Sequence, residues 1–150
     1  MRAEALTILM ADDDEDDRQS TEEAFREHHL ANDFRTVGDG EELMEFLRRQ
    51  GRYRDAPRPG LILLDLNMPR KDGREALKEI KSDPALRQIP VVILTTSKAE
   101  EDILKTYDLG ANSFITKPVG FDSLVQLVST MTRYWFQLVE LPAKAEPPNG

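Results

Sequence analysis

The 150-residue chain contains no cysteine. This absence excludes disulfide frameworks, zinc–thiolate sites, iron–sulfur clusters and cysteine nucleophiles. The chain also lacks an apolar run near the roughly 18 residues that a membrane span requires. Its N-terminus carries Glu4 and only a short apolar stretch, which is atypical of a secretory signal peptide. We therefore expect a cytoplasmic protein with no membrane partner, of about one domain in length.

Basic residues are outnumbered, since 20 Lys and Arg face 28 Asp and Glu and the net charge is −8. An acidic protein is a poor non-specific ligand for nucleic acid, so no nucleic-acid partner is expected. Much of the excess lies in one run, DDDEDD at Asp12–Asp17. Such runs are usually solvated helix starts that complement the helix dipole, and we interpret Glu15, Asp16 and Asp17 in this way.

Short apolar runs alternate with helical patterns. Two unbroken apolar runs, Leu61–Leu66 and Ile89–Thr95, are typical of parallel strands covered on both faces. Further strands are predicted at Leu6–Ala11, Phe34–Val37 and Ser113–Thr116. Helices are predicted over Asp14–His28, Glu41–Arg49, Arg74–Ser82, Lys98–Leu109 and Phe121–Val139. Five strands alternating with five helices predict a three-layer α/β sandwich around a parallel sheet.

Reactive side chains stand where the predicted strands end. Asp12 and Asp13 follow the first strand, and Asp65, Thr95 and Lys117 end the third, fourth and fifth. Ligands of such sheets bind outside the carboxyl ends of the strands. Three carboxylates brought together there would repel one another unless a cation neutralised them. Oxygen ligands without His or Cys favour Mg²⁺, with Mn²⁺ as the alternative.

These motifs, in this order and spacing, resemble the receiver domain of two-component response regulators. The resemblance rests on Asp12-Asp13, LLDLNMPRKDG around Asp65, VVILTTS around Thr95, and GANSFITKP ending at Pro118. It covers roughly residues 6–138 and implies a flavodoxin-like (βα)5 fold with strand order 2-1-3-4-5. We assign residues 1–141 to this domain and residues 142–150, which are poor in apolar residues, to a flexible tail.

The resemblance narrows to the single-domain response regulators that partner bacterial phytochromes. The loop GRYRDAPRPG, the stretch IKSDPALRQIPVVILTTSKAEEDILKTYDLGANSFITKPV and the ending YWFQLVELP carry this likeness. It implies that Asp65 accepts a phosphoryl group from a histidine kinase, with a bacterial phytochrome as the expected partner. It also implies a signalling protein that performs only self-directed phosphoryl transfer and autodephosphorylation, without a DNA-binding output domain.

The resemblance also implies the ligands of the metal. Asp13 and Asp65, with the backbone carbonyl of Asn67, would hold Mg²⁺, and Asp12 would act mainly through a metal-bound water.

Three further residues receive roles in the same way. Lys117 would pair with one phosphoryl oxygen and Thr95 with another. Phe114 would then follow Thr95 inward, as part of a two-state switch.

The last predicted helix has more apolar residues than one face requires. Phe121, Leu124, Val128, Met131, Trp135 and Leu138 follow a heptad-like stripe, which other apolar residues widen. Core packing alone is one explanation. We favour a homodimer through this C-terminal helix, with Trp135 and Phe136 as the large aromatic residues of the interface.

Two other functions share parts of the pattern. Phosphatases and phosphotransferases of the haloacid-dehalogenase type also use an aspartate after a strand, but they carry a second aspartate where this chain has Asn67. A receiver fold with an inactive site is the other alternative. The presence of Asp13, Asp65, Thr95 and Lys117 counts against it.

Overall fold

A computed structural model of the chain describes residues 7–27, 33–96 and 99–134. Its five strands form one parallel sheet in the order β2-β1-β3-β4-β5. The strands are β1 (Thr7–Ala11), β2 (Asp33–Val37), β3 (Leu61–Leu64), β4 (Val91–Thr95) and β5 (Ser113–Thr116). The helices are α1 (Glu15–Glu27), α2 (Gly40–Leu47), α3 (Gly73–Ser82), α4 (Glu100–Asp108) and α5 (Phe121–Thr132). This arrangement confirms the predicted flavodoxin-like sandwich.

Several element boundaries differ from the prediction by one or two residues. Strand β4 begins at Val91 rather than Ile89, because Pro90 has no N–H to donate to a ladder. Strand β3 ends at Leu64 rather than Leu66, although the backbone N–H of Asp65 still donates to the carbonyl oxygen of Ala11 at 3.0 Å. Helix α5 ends at Thr132, and residues 135–139 of the predicted helix lie outside the described residues.

Within the described residues, the core consists of two clusters, one on each face of the sheet. Side chains alternate between the two faces along a strand, so Ile8 and Met10 belong to one cluster while Leu9 and Ala11 belong to the other. The cluster with Leu9 and Ala11, here called the first core cluster, packs α2 and α3 on the sheet, and the cluster with Ile8 and Met10 packs α1 and α5. All five residues of β1 are buried, as expected for a parallel strand covered on both sides.

The turn between β3 and α3 is held closely against the carboxyl edge of the sheet. Asp72 caps α3 in a capping box, accepting from the backbone N–H of Arg74 at 2.7 Å while Glu75 accepts from the backbone N–H of Asp72. A Cβ at Gly73 would lie only 2.2 Å from the carbonyl oxygen of Asp65. Glycine at position 73 therefore allows the helix start to lie directly behind Asp65.

The two edge strands carry different side-chain contacts. At β5, the phenol oxygen of Tyr107, from α4, accepts a hydrogen bond of 3.1 Å from the backbone N–H of Phe114. At β2, Arg35 forms an exposed ion pair with Asp33 at 2.8 Å.

Among the helices in the described part of the chain, none has the length and apolarity that crossing a bilayer requires.

Candidate functional site

Three carboxylates meet at the carboxyl edge of the sheet, as predicted. Strands β1 and β3 are neighbours and pair Ala11 with Leu64, so the residues that follow, Asp12 and Asp65, lie side by side. Asp12 and Asp65 are buried, whereas Asp13 is exposed. Carboxylate oxygens of these three aspartates lie within 4.8 Å of one another. The site therefore combines two buried negative charges with one that faces solvent.

Lys117 supplies the positive charge next to this cluster. Its Nζ lies 2.6 Å from Oδ2 of Asp12 and 3.2 Å from Oδ2 of Asp65. A third carboxylate, that of Asp17 on α1, lies 2.7 Å from the same nitrogen. The side chain of Lys117 is only 12% exposed, so these ion pairs are poorly screened by water. In this state the ammonium group neutralises much of the negative charge in the site.

For both Asp12 and Lys117, burial and the neighbouring charges shift the pKa in opposite directions. Burial raises the pKa of Asp12 to about 6, although Lys117 and a hydrogen bond from the backbone N–H of Asp14 oppose the shift. Burial alone would lower the pKa of Lys117. The contacts with Asp12 and Asp17 outweigh burial and raise this pKa above its ordinary value. Lys117 therefore stays protonated at neutral pH.

Thr95 and Asn67 contact one oxygen of Asp65. The hydroxyl of Thr95 donates to Oδ1 of Asp65 at 2.8 Å, and this contact is fully buried. The backbone N–H of Asn67 donates to the same oxygen at 3.3 Å. Lys117 lies on the side of Oδ2, so the two oxygens of Asp65 have different partners. The side chain of Asn67 is exposed.

The loop after β1 fixes the orientation of Asp12. Its Oδ1 accepts a 2.9 Å hydrogen bond from the backbone N–H of Asp14, and its carbonyl oxygen accepts one of 2.6 Å from Arg18. Its Oδ2 is buried and faces the ammonium group of Lys117 at 2.6 Å. The clustering of this carboxylate with two further ones fits a divalent cation that prefers oxygen ligands.

Sequence reasoning missed Asp17 as a member of the site. We interpreted it, with Glu15 and Asp16, as part of a solvated helix start. Its carboxylate instead contacts Lys117, which lies 100 residues further along the chain. The two meet only in the folded chain, where the first turn of α1 contacts the residue that follows β5, and no spacing in the sequence signals that contact.

The other predicted site residues are placed as follows. Phe114 on β5 is half-buried and packs against the first core cluster. Within the predicted helical stripe, Val128 and Met131 are buried and Leu124 is partly buried, so these residues serve the core. Phe121 is 40% exposed. Trp135 and Phe136, predicted as interface residues, lie outside the described residues.

Comparison with known proteins agrees with this geometry. The family model for the response regulator receiver domain matches residues 8–129. Response regulator Rcp1 of Synechocystis sp. is 42% identical over 136 residues, covering 91% of this chain and 92% of that protein. The crystal structure of the phosphorylated cyanobacterial phytochrome response regulator RcpA superposes with a TM-score of 0.89 at 44% identity, covering 93% of this chain and all of that one. The Mn²⁺-bound form of Rcp1 gives a TM-score of 0.86 at 41% identity, covering 92% and 99% of the two chains.

Proposed function

The chain belongs to the response regulator receiver family, and from this we propose that Asp65 is the phosphoacceptor of a histidine-kinase phosphorelay. The observation that supports this most directly is the setting of Asp65. It is a buried carboxylate at the end of a central strand, within hydrogen-bond distance of both a hydroxyl and an ammonium group. Burying a carboxylate is costly, so a position that binds its charged form on both oxygens suits a reactive group.

The proposed reaction is transfer of a phosphoryl group between two side chains. A carboxylate oxygen of Asp65 attacks the phosphorus of a phosphohistidine, the P–N bond breaks, and the imidazole leaves with the electron pair of that bond. Lys117 would pair with one phosphoryl oxygen and Thr95 would donate to another. Hydrolysis reverses the state, since water attacks the phosphorus and Asp65 leaves as the carboxylate. The protein would thus act only on its own phosphoryl group, as a signalling protein without an external substrate.

We propose Mg²⁺ as the cation of this site. Asp13 and Asp65, with the carbonyl oxygen of Asn67, would hold it, and Asp12 would act through a bound water. Bound there, the cation would neutralise negative charge on the transferred group. The exposed Asp13 supports an entry path from solvent, and the all-oxygen donor set suits Mg²⁺ or Mn²⁺.

We propose a bacterial phytochrome histidine kinase as the phosphoryl donor. The support is that RcpA, at 44% identity over 93% of this chain, is a cyanobacterial phytochrome response regulator. The phosphohistidine donor is made from ATP, which places the proposed reaction in the cytoplasm.

We propose no nucleic-acid partner, because the chain carries a net charge of −8.

We further propose that two copies associate through the C-terminal helix. The support is the surplus of apolar residues at the end of the chain, including Trp135 and Phe136. Sedimentation should show a dimer at tens of micromolar, and replacement of both aromatic residues by alanine should give a monomer that is still phosphorylated. A wild-type protein that is monomeric with and without a phosphoryl mimic would contradict the dimer.

Incubation with acetyl phosphate and Mg²⁺ tests the phosphoacceptor. Mass spectrometry should show one phosphoryl adduct on the wild-type protein and none on the Asp65→Asn variant. An undiminished adduct on that variant would reject Asp65. Continuous turnover of a phosphate ester would instead indicate a phosphatase, and no adduct at all would indicate an inactive receiver.

A further inference from the structure

The acceptors around Lys117 outnumber the N–H bonds available once a phosphoryl group is added. Its ammonium group has three N–H bonds. Three carboxylates already lie within 3.2 Å of the nitrogen, those of Asp12, Asp17 and Asp65. A phosphoryl oxygen on Asp65 would be a fourth anionic acceptor. One of the three contacts must therefore lengthen when Lys117 turns toward that group.

The burial of the three carboxylates indicates which contact is released most easily. The side chain of Asp12 is fully buried and that of Asp65 is only 8% exposed, so either would lose a charged partner without gaining water. The side chain of Asp17 is 42% exposed, so water can hydrate it at once. Releasing Asp17 therefore costs the least free energy.

We propose that Asp17 is a positioning residue that competes with the phosphoryl group for Lys117. This inference rests on the proposed function, because it assumes that Lys117 pairs with a phosphoryl oxygen. In the unphosphorylated state, Asp17 holds the ammonium group toward α1. When the phosphoryl group arrives, Lys117 exchanges Asp17 for a phosphoryl oxygen, and Asp17 turns to solvent. The competition lowers the affinity of the site for phosphoryl groups.

The test is a titration with beryllium fluoride, which mimics a phosphoryl group on a carboxylate, at saturating Mg²⁺. Asp17→Asn keeps the shape of the side chain and removes its charge. We expect this variant to reach half-saturation at a roughly 2- to 5-fold lower beryllium fluoride concentration than wild type, the range that a partly exposed ion pair supports. Asp17→Ser should also reach half-saturation at a lower beryllium fluoride concentration than wild type. Agreement between the two variants would exclude an effect peculiar to asparagine.

Asp16→Asn is the matched control. Asp16 neighbours Asp17, is exposed, and its replacement removes the same unit of charge. It should shift the titration much less than Asp17→Asn if direct contact with Lys117 is the cause. In a Lys117→Ala background, the further substitution Asp17→Asn should leave the titration unchanged, an outcome that a merely structural role of Asp17 would not produce.

The outcomes separate this inference from the proposed function. Asp65-dependent binding in wild type, with Asp17→Asn no tighter than Asp16→Asn, would overturn the role of Asp17 alone. Weaker binding by Asp17→Asn would overturn it too, since Asp17 would then assist Lys117. Binding that persists unchanged in Asp65→Asn would overturn both the phosphoacceptor and the competition.

Discussion

The hydroxyl of Thr95 donates a 2.8 Å hydrogen bond to the carboxylate of Asp65, across the neighbouring strands β3 and β4. The proposed phosphoacceptor is thus already in contact with the residue expected to recognise the phosphoryl group. Thr95 needs no long movement to meet that group, because it exchanges an oxygen of the Asp65 carboxylate for an oxygen of the phosphoryl group attached to Asp65. The proposed inward movement of Phe114 would follow from this short displacement of the β4 end.

The Thr95–Asp65 hydrogen bond should stabilise the unphosphorylated fold. Thr95→Val keeps the side-chain shape and removes the donor, leaving a buried carboxylate with one partner fewer. We expect a loss of about 1–3 kcal/mol in the free energy of unfolding by urea denaturation. Thr95→Ser, which retains the hydroxyl, should lose clearly less. A Thr95→Val variant as stable as wild type would show that the hydrogen bond does not stabilise the fold.

Mg²⁺ should raise the unfolding temperature of the protein. A ligand that binds only the folded state contributes about 2.7 kcal/mol at 100 times its dissociation constant, which is about 5–10 °C for a chain of this length. Asp13→Ala should abolish the response, because Asp13 supplies the exposed carboxylate of the site. The Asp16→Ala variant should retain it. A full Mg²⁺ shift in Asp13→Ala would remove Asp13 from the ligand set.

The hydroxyl of Tyr53 donates a hydrogen bond to the carboxylate of Glu42. This hydrogen bond should contribute stability that depends on pH. Burial alone would raise the pKa of Glu42, but hydrogen bonds from Tyr53 and the Gly38 N–H, with the charge of Arg52, lower it below its ordinary value. A lowered pKa in the folded state means that the unfolded state takes up the proton first. The contribution is therefore present above the unfolded pKa, near 4.5, and is lost as the pH falls below it.

Tyr53→Phe tests this contribution. The variant should lose about 1 kcal/mol of stability near neutral pH and show a smaller further loss below pH 4.5 than wild type. Urea denaturation at pH 7 and pH 4 measures both quantities. Parallel stability curves for the two proteins across this range would show that Tyr53 does not set the pKa of Glu42.

The close packing behind Asp65 should make position 73 intolerant of a side chain. In Gly73→Ala, the added Cβ would meet the carbonyl oxygen of Asp65 at 2.2 Å and Cα of Leu66 at 2.8 Å. Relief requires the β3–α3 turn to move, at a cost of about 1–3 kcal/mol, and displaces Asp65. Phosphorylation by acetyl phosphate should slow in parallel.

Gly38→Ala is the control for this substitution. A Cβ there would meet only side-chain atoms at 3.5 Å and 3.6 Å, which is ordinary contact. Its stability to urea and its phosphorylation should stay close to wild type. If both alanine variants lost the same stability, the close approach at position 73 would not be the cause.

Much of the fold could be predicted from sequence because β3 and β4 are unbroken apolar runs, whose buried character leaves little ambiguity. The same runs located Asp65 and Thr95 at their ends. Asp17 could not be predicted in this way, because an acidic residue in the first turn of a helix has a sufficient local explanation. Its contact with Lys117 depends on how the start of α1 meets the residue that follows β5, which is a property of the assembled fold.

The hydrogen bond between Tyr107 and the backbone of Phe114 also affects the exposed edge of the sheet. The outermost strand of a sheet offers unpaired N–H and C=O groups, and these attract strands from other molecules. At β5 the phenol of Tyr107 occupies the N–H of Phe114. A foreign strand would have to displace this side chain before extending the sheet there. Tyr107 therefore covers one backbone donor of this edge, and Tyr107→Phe would leave that N–H open to pairing with a strand of another molecule.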